Sequence, residues 1–226
     1  MKLKIDLHIH THHSPDGFSS PKELVLAAKE KGFDAIAVTD HYSTKGALEA
    51  KSLARRLAPK LLVIIGQEAK TEAGDFLVYG PVKAYPKGIQ LLDLVKDAKR
   101  KSAFLIAPHP FDKLRSGIGS RIMEILPDLT AIEAFNGRTY IGPYNSKASA
   151  FAKANRIPCV ASSDTHHTRE FGNTYTVVGA RSKTPAAIFS AIRAGRAELV
   201  KERTSFTTHL RATLTKRFAA GKGAGK

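Results

Sequence analysis

Apolar residues in this chain gather into short runs, with longer amphipathic stretches between them. Runs of strand length occupy 3–9, 35–38, 61–65, 76–79, 103–107, 129–135, 157–161 and 175–178. Between them, spacings of three and four predict helices over about 21–31, 45–57, 89–101, 144–155 and 185–194, which makes an alternation of strand and helix. The first helix carries its own start signal, Ser20-Pro21-Lys22-Glu23, with a capping serine, proline at the first helical position and glutamate at the third. The last opens on Thr184-Pro185, and Gly66, Gly88, Gly137 and Gly195 punctuate connections.

Most of the strand-like runs lack polar alternation. Leu61-Leu62-Val63-Ile64-Ile65 has none at all, as expected of parallel strands covered on both faces. Polar residues collect instead at the ends of runs: Asp40-His41, Glu68, His109, Glu133 and Asp164-His166. In a closed β/α barrel the strand ends converge on one face, where sites form, whereas an open sheet spreads such groups along a line. The pattern predicts an α/β fold, a TIM-like (β/α)7 barrel over residues 1–200. A basic tail follows over 201–226, partly disordered, with Ala-Ala-Gly-Lys-Gly-Ala-Gly-Lys at 219–226. Just before it, Leu210, Leu214 and Phe218 step by four beside Arg211, Lys216 and Arg217, a short basic helix candidate read as docking its apolar stripe on the domain.

At 226 residues, 42% hydrophobic and 25% charged, the chain has the composition of a globular domain with a sizeable core, which excludes the disordered class. The formal charge of +16 favours polyanions or phosphorylated ligands near the surface. A nucleotide-type substrate is expected from it, and nucleic acid is a possible partner through the basic surface and tail. The single cysteine, Cys159, lies in an apolar run, is read as a small buried hydrophobe and forms no internal disulfide. With no 18 consecutive apolar residues and no apolar leader after Met1, neither a membrane span nor a signal peptide is expected, and the expected location is cytoplasmic.

The candidate chemistry sits in the histidines. Eight of nine fall in the clusters His8/His10/His12/His13, His41, His109 and His166/His167, with Asp6, Asp16, Asp40, Glu68, Glu133 and Asp164 beside them. Neutral imidazoles interleaved with carboxylates suit divalent transition metals. On a strand, His8 and His10 share a face and flank one point, with Asp6 on that face placed to hold a ring in one tautomer. An isolated His-x-His also occurs on surface strands; here it stands inside Asp6-Leu7-His8-Ile9-His10-Thr11, followed by Ser14-Pro15-Asp16-Gly17.

That stretch resembles the signature of the PHP superfamily, named for polymerase and histidinol phosphatase. Matching motifs follow in order: Thr39-Asp40-His41, Gly66-Gln67-Glu68, Pro108-His109-Pro110, Ile132-Glu133 with Asn136, and Ser163-Asp164-Thr165-His166. The resemblance covers residues 1–200 and implies a distorted seven-stranded barrel that holds two or three Zn, Mn or Fe ions. By position it implies one ion on His8, His10, Glu68 and Asp164, with Glu68 bridging to a second near His109, and a third on Asp16, His41 and His166. One departure weakens the second position: many relatives place a histidine in the strand after the glutamate, where this chain reads Gly74-Asp75-Phe76-Leu77-Val78-Tyr79-Gly80.

The expected activity is a metal-dependent phosphoesterase in which hydroxide generated at the ions attacks phosphorus. Its catalytic candidates are Asp40, His41 and Asp16, with Asp40 one source of the leaving-group proton. Phosphate needs cations around it. Arg138, Arg169 and His167 are the substrate-binding candidates on nearby loops; Arg115 and Arg121 rank below them. Two alternatives are an amidohydrolase-type C–N hydrolase, since those barrels also start with His-x-His, and a non-catalytic basic barrel that binds nucleic acid.

Overall fold

A computed structural model describes residues 1–80, 83–140 and 142–203. Its elements are β1 (Lys2–Ile9), α1 (Pro21–Glu30), β2 (Ala35–Val38), α2 (Lys45–Leu57), β3 (Leu62–Lys70), β4 (Asp75–Tyr79), α3 (Leu91–Arg100), β5 (Phe104–Ala107), β6 (Ala131–Asn136), α4 (Tyr144–Asn155), β7 (Cys159–Ser162), β8 (Thr174–Gly179), α5 (Pro185–Arg193) and β9 (Ala197–Lys201). Turns of 3-10 helix occupy Gly119–Asp128 and Thr168–Glu170. The boundary signals act as read: Ser20 Oγ accepts from Glu23 N at 3.2 Å while Glu23 Oε2 accepts from Ser20 N at 2.7 Å, closing a capping box around α1. The helix candidate at Leu210, Leu214 and Phe218, and the 219–226 segment, lie outside the described residues.

The strands form one nine-stranded sheet in the order β7-β6-β5-β4-β3-β2-β1-β8-β9. β1 to β7 therefore lie side by side in chain order, and the sheet curls until β7 meets β8. Side chains stitch that seam: Thr176 Oγ1 accepts from Ala161 N at 2.9 Å and donates to Ala161 O at 2.8 Å. His10 N donates to Thr165 O at 2.8 Å nearer the rim. The result is a mixed α/β fold with a nearly closed, barrel-like sheet.

The sheet is not wholly parallel. β4 runs antiparallel to β3 and β5, and β8 antiparallel to β1 and β9. β4 is still continuously apolar after Asp75, because Leu77 and Tyr79 face the barrel interior while Phe76 and Val78 pack outward beside Leu91, Leu94 and Val95 of α3. An unbroken apolar run thus reports burial of both faces and leaves direction open. β9 was not expected from the sequence; its pattern of partly and fully exposed residues is that of an edge strand.

Inside the barrel, Leu3, Ile5 and Leu7 meet Ala35, Ala37, Ile64, Leu77, Tyr79, Ile106 and Val160, with Ile188, Phe189 and Ile192 of α5 in the same core. Two outer layers complete the packing. One sets Ile9, Ile36, Val38 and Val63 against Leu24, Val25 and Ala50 of α1 and α2, and the other sets Leu105 and Ile132 against α3.

Two irregularities place the polar residues. On β1 the register runs Asp6↔Ile36 and then Ile9↔Val38, so β1 carries an extra residue. This bulge inverts the alternation: Leu7 stays inward, and His8 and His10 turn inward above it while Ile9 packs outward. On β6 a second bulge falls between Glu133 and Phe135. Both lie at the rim where the histidines collect.

Candidate metal centre

Each polar side chain reaches the rim from its own strand end. The bulge delivers His8 and His10, both fully buried. The loop after β1 is fixed by Asp40, which accepts from Thr11 N at 2.6 Å and from Thr11 Oγ1 at 2.7 Å. Within it, Ser14 Oγ donates to Asp16 Oδ1 at 2.8 Å and stands 3.3 Å from His10 Nδ1. Glu68 comes from β3, His41 from the end of β2, and His109 from the end of β5 with φ of 28°. Asp164 follows β7 with φ of 55°. Left-handed backbone at non-glycine residues costs about 1–3 kcal/mol each, and here it aims ligands inward.

The donor atoms converge closely. Glu68 Oε2 lies 3.0 Å from both His8 Nε2 and His10 Nε2, and Glu68 Oε1 lies 3.2 Å from His109 Nε2. Asp164 Oδ1 is 3.5 Å from His8 Nε2, 3.6 Å from His10 Nε2 and 3.4 Å from His166 Nδ1. On the open side, Asp16 Oδ2 is 3.0 Å from His166 Nε2 and 3.6 Å from His41 Nε2. Glu133, fully buried behind them, accepts from His8 Nδ1 at 2.9 Å, His109 N at 2.9 Å and Asn136 Nδ2 at 2.9 Å.

This charge density shifts the titrations. Burial alone would raise Glu68, but the charges of His8 and His41 hold its carboxyl well below the usual range. Asp164 is likewise held low against burial by His8 and Arg115, and Asp16 by His166, His10 and His41. His8 is pushed well above its usual value, its burial outweighed by Asp164, Glu68 and Glu133. His166 falls to about 4 through burial and then the charge of Arg138. Burial raises Asp6 to about 7, and burial with the charge of Glu68 raises Asp75 to about 8.

A divalent cation fits this arrangement. Without an ion, the raised titration of His8 keeps a proton on Nε2; with Glu133 accepting from Nδ1, loss of that proton turns the Nε2 lone pair toward His10 Nε2 at 3.0 Å and the oxygens of Glu68 and Asp164. Lone pairs meeting at such distances repel unless a proton or a metal ion stands among them. His109 Nδ1 and Asp75 Oδ1 are, in addition, buried without a hydrogen-bond partner. The PHP domain model matches residues 6–121, and the PHP-associated model matches residues 142–197.

The chain belongs to the PHP domain family.

Its relatives extend the match. The uncharacterized protein MJ1587 of Methanocaldococcus jannaschii is 31% identical over 156 residues, 65% of this chain and 89% of that protein. A 5'-3' exoribonuclease of Haemophilus influenzae is 33% identical over 121 residues, 52% of this chain and 42% of the enzyme. A two-domain protein from Bacteroides vulgatus, containing a predicted PHP-like metal-dependent phosphoesterase, superposes with a TM-score of 0.77 at 22% identity, covering 89% of this chain and 65% of that one. At that identity the likeness establishes the fold.

Six of the eight expected ligands, Asp16, His41, Glu68, His109, Asp164 and His166, line one hollow, and the fully buried His8 and His10 lie beneath it, each with Nε2 3.0 Å from Glu68 Oε2. Groups of three able to hold an ion include His8/His10/Glu68, His8/His109/Asp164, His10/Asp16/His41 and His10/Asp164/His166. A cavity of about 180 Å³ opens over them, lined also by Lys70, Asp75, Arg115 and Arg138.

Several sequence expectations end elsewhere. Asp40 does not line the cavity: it is fully buried with both oxygens on Thr11, so it shapes the loop that carries Asp16. Asp6 holds no ring. The bulge carries it off the face of His8, and its Oδ1 accepts from His8 N and Ser163 N at 3.3 and 3.2 Å; Glu133 takes the ring. Arg169 is exposed outside the cavity lining, and His167 Nδ1 accepts from Arg169 N at 3.2 Å to cap a 3-10 turn. His13 pairs with Glu49 at 2.9 Å beside His12, away from the cavity.

Arg115, ranked low from the sequence, reaches the centre. It donates from Nη1 to Asp164 Oδ2, from Nη2 to Asn136 Oδ1 at 3.0 Å and Thr139 Oγ1 at 2.7 Å, and from Nε to Asp112 Oδ2 at 3.2 Å. Arg138, ranked high, stands 2.6 Å from His166 Nδ1 on the cavity wall. In sequence both sit among basic loops, and only the loop after His109, turned by Gly117 against the carbonyls of His109 and Pro110, brings Arg115 back.

Proposed function

We propose that the chain is a metal-dependent phosphoesterase that hydrolyses terminal phosphate esters, its substrates a phosphorylated metabolite, a nucleotide or an oligonucleotide end. The observation that carries this reading is the cationic wall above the ligand cluster: Lys70, Arg115 and Arg138 line the same cavity as His8's partners Glu68 and Asp164. When bound, divalent ions supply acidified water and balance the charge that develops on phosphoryl oxygens. Two or three would be held by His8, His10, Glu68, Asp164, His109, Asp16, His41 and His166.

The protein's own groups do the rest. Arg138 and Lys70 reach phosphoryl oxygens from the wall, while Arg115, fixed by its four partners, presents its charge without rotating away. Glu133 keeps the Nδ1 proton on His8, so that Nε2 remains a lone-pair donor. Asp40 acts on the Asp16 loop and takes no proton from substrate. The hollow is smaller than the roughly 300–1,000 Å³ of sites that enclose a whole ligand. This supports entry of one phosphoryl group, with the remainder of the substrate at the mouth against a surface of net charge +16. The exoribonuclease relative fits the same preference for nucleotide-type esters.

The test uses purified full-length chain, stripped with chelator and reloaded with Mn²⁺ or Zn²⁺, on phosphomonoesters, 5'-phosphorylated oligonucleotides and cyclic amides. Metal-dependent phosphate release, lost in His10→Ala, is expected. Turnover of the amides alone, or none that needs metal, would overturn the proposal.

A further inference from the structure

We infer that Asp75 is a ligand of the second cation position, beside Glu68 and His109, and makes that position oxygen-rich and suited to a harder, more exchangeable ion than the one at His8 and His10. The inference rests on the metal reading above. Its first support is topological. β4 runs antiparallel to its neighbours, so its first residue, Asp75, lies at the same rim as the last residues of the parallel strands. Phe76 packs outward and Leu77 inward, which places Asp75 on the inward face above Leu77, at the cavity it lines.

The second support is the state of the carboxylate. Asp75 is 4% exposed, and its Oδ1 has no hydrogen-bond partner. Lys70 Nζ, at 3.7 Å, is the cation paired with it and lies beyond hydrogen-bonding range. A buried carboxylate oxygen left bare is costly unless a cation meets it. Backbone contacts fix the residue there: Asp75 N donates to Ser116 O at 2.9 Å, and Thr71 Oγ1 donates to Gly74 O at 2.6 Å just before it. His109, whose Nε2 faces Glu68 Oε1 at 3.2 Å, likewise has a buried, unpartnered Nδ1.

The chemistry then separates the two positions. His8 and His10 give the inner position two imidazoles, whereas no histidine occurs between His41 and His109 in the sequence. Two carboxylates and one imidazole favour Mn²⁺ over Zn²⁺ relative to an imidazole-rich set.

Full-length wild type, Asp75→Asn and Asp75→His, each stripped and shown folded by thermal melting, are titrated with Mn²⁺ by EPR, and with Mn²⁺ and Zn²⁺ in competition by elemental analysis after dialysis. Asp75→Asn is expected to keep the tight ion and lose at least roughly tenfold in affinity for one further Mn²⁺. Asp75→His should restore the ion count while shifting preference toward Zn²⁺. Identical Mn²⁺ isotherms for wild type and Asp75→Asn, or an unchanged Mn²⁺/Zn²⁺ preference in Asp75→His, would overturn the inference alone. Wild type that binds no divalent ion would overturn the metal reading beneath it.

Discussion

His8 Nδ1 donates to Glu133 Oε1 at 2.9 Å, with both side chains wholly buried. The contact fixes the tautomer of His8 and turns Nε2 into the cluster, and Glu133 also accepts from His109 N, so one carboxylate orients two strand ends. Glu133→Gln keeps the shape and weakens the bond to the ring. A loss of roughly 10–100-fold in divalent-metal affinity is expected, read by competition with a chelator; unchanged affinity would assign Glu133 to packing.

The partly exposed Arg115 pairs with the buried Asp164, with Asn136, Thr139 and Asp112 around it. Removing the guanidinium leaves the buried Asp164 less compensated, at a cost below the roughly 3–5 kcal/mol of a fully buried pair because Arg115 is partly solvated. Arg115→Ala should therefore lower the melting temperature most in chelator, with metal recovering part of the loss because a cation again faces Asp164. Equal destabilisation with and without metal would contradict this.

Gly46 sits in the first turn of α2, where a Cβ would stand 2.1 Å from Asp40 Oδ2 and 2.4 Å from Thr11 Oγ1. In an open helix, Gly→Ala stabilises by about 1 kcal/mol. Here the sign reverses. Gly46→Ala is expected to destabilise by about 1–3 kcal/mol and to weaken metal retention by displacing the loop that carries Asp16, measured by denaturant melts and metal content. A stabilised variant with full metal content would show that the clamp of Asp40 on Thr11 does not matter.

Asp6 supplies a pH signature of the metal-free protein. Burial lifts its carboxyl from 3.8 to about 7, so between these values the folded state holds a proton that the unfolded state has lost. Its contribution to stability is complete below about 3.8 and disappears as pH rises through about 7; the gap corresponds to roughly 4 kcal/mol. In chelator, Asp6→Asn should flatten the decline in melting temperature between about pH 4 and pH 7. Parallel wild-type and variant profiles would contradict the assignment.

The sequence carried much of this architecture because its signals are local. The capping box at Ser20 and Glu23, and the polar residues closing apolar runs, mark helix starts and a common rim without knowledge of contacts. What stayed hidden depends on pairing. β4 is buried on both faces, so its apolar run did not disclose that it runs backwards and brings Asp75, at its beginning, to the ligands. The β1 bulge inverts the alternation after Asp6, which removed Asp6 from the ring of His8 and gave that task to Glu133, a residue 125 positions away in the chain. Arg115 reads as one basic loop residue among many until its loop folds over Asp164, while Arg169, also close to a ligand motif in sequence, is exposed outside the cavity lining.

The central claim is that this rim binds divalent ions as a cluster. Anomalous X-ray scattering from crystals of the full chain equilibrated with Mn²⁺ tests it most directly. The account predicts neighbouring peaks roughly 3.5–4 Å apart, one among His8, His10, Glu68 and Asp164 and another between Glu68 and His109. Crystals with Mn²⁺ bound elsewhere on the surface, and no anomalous density among those residues, would contradict it.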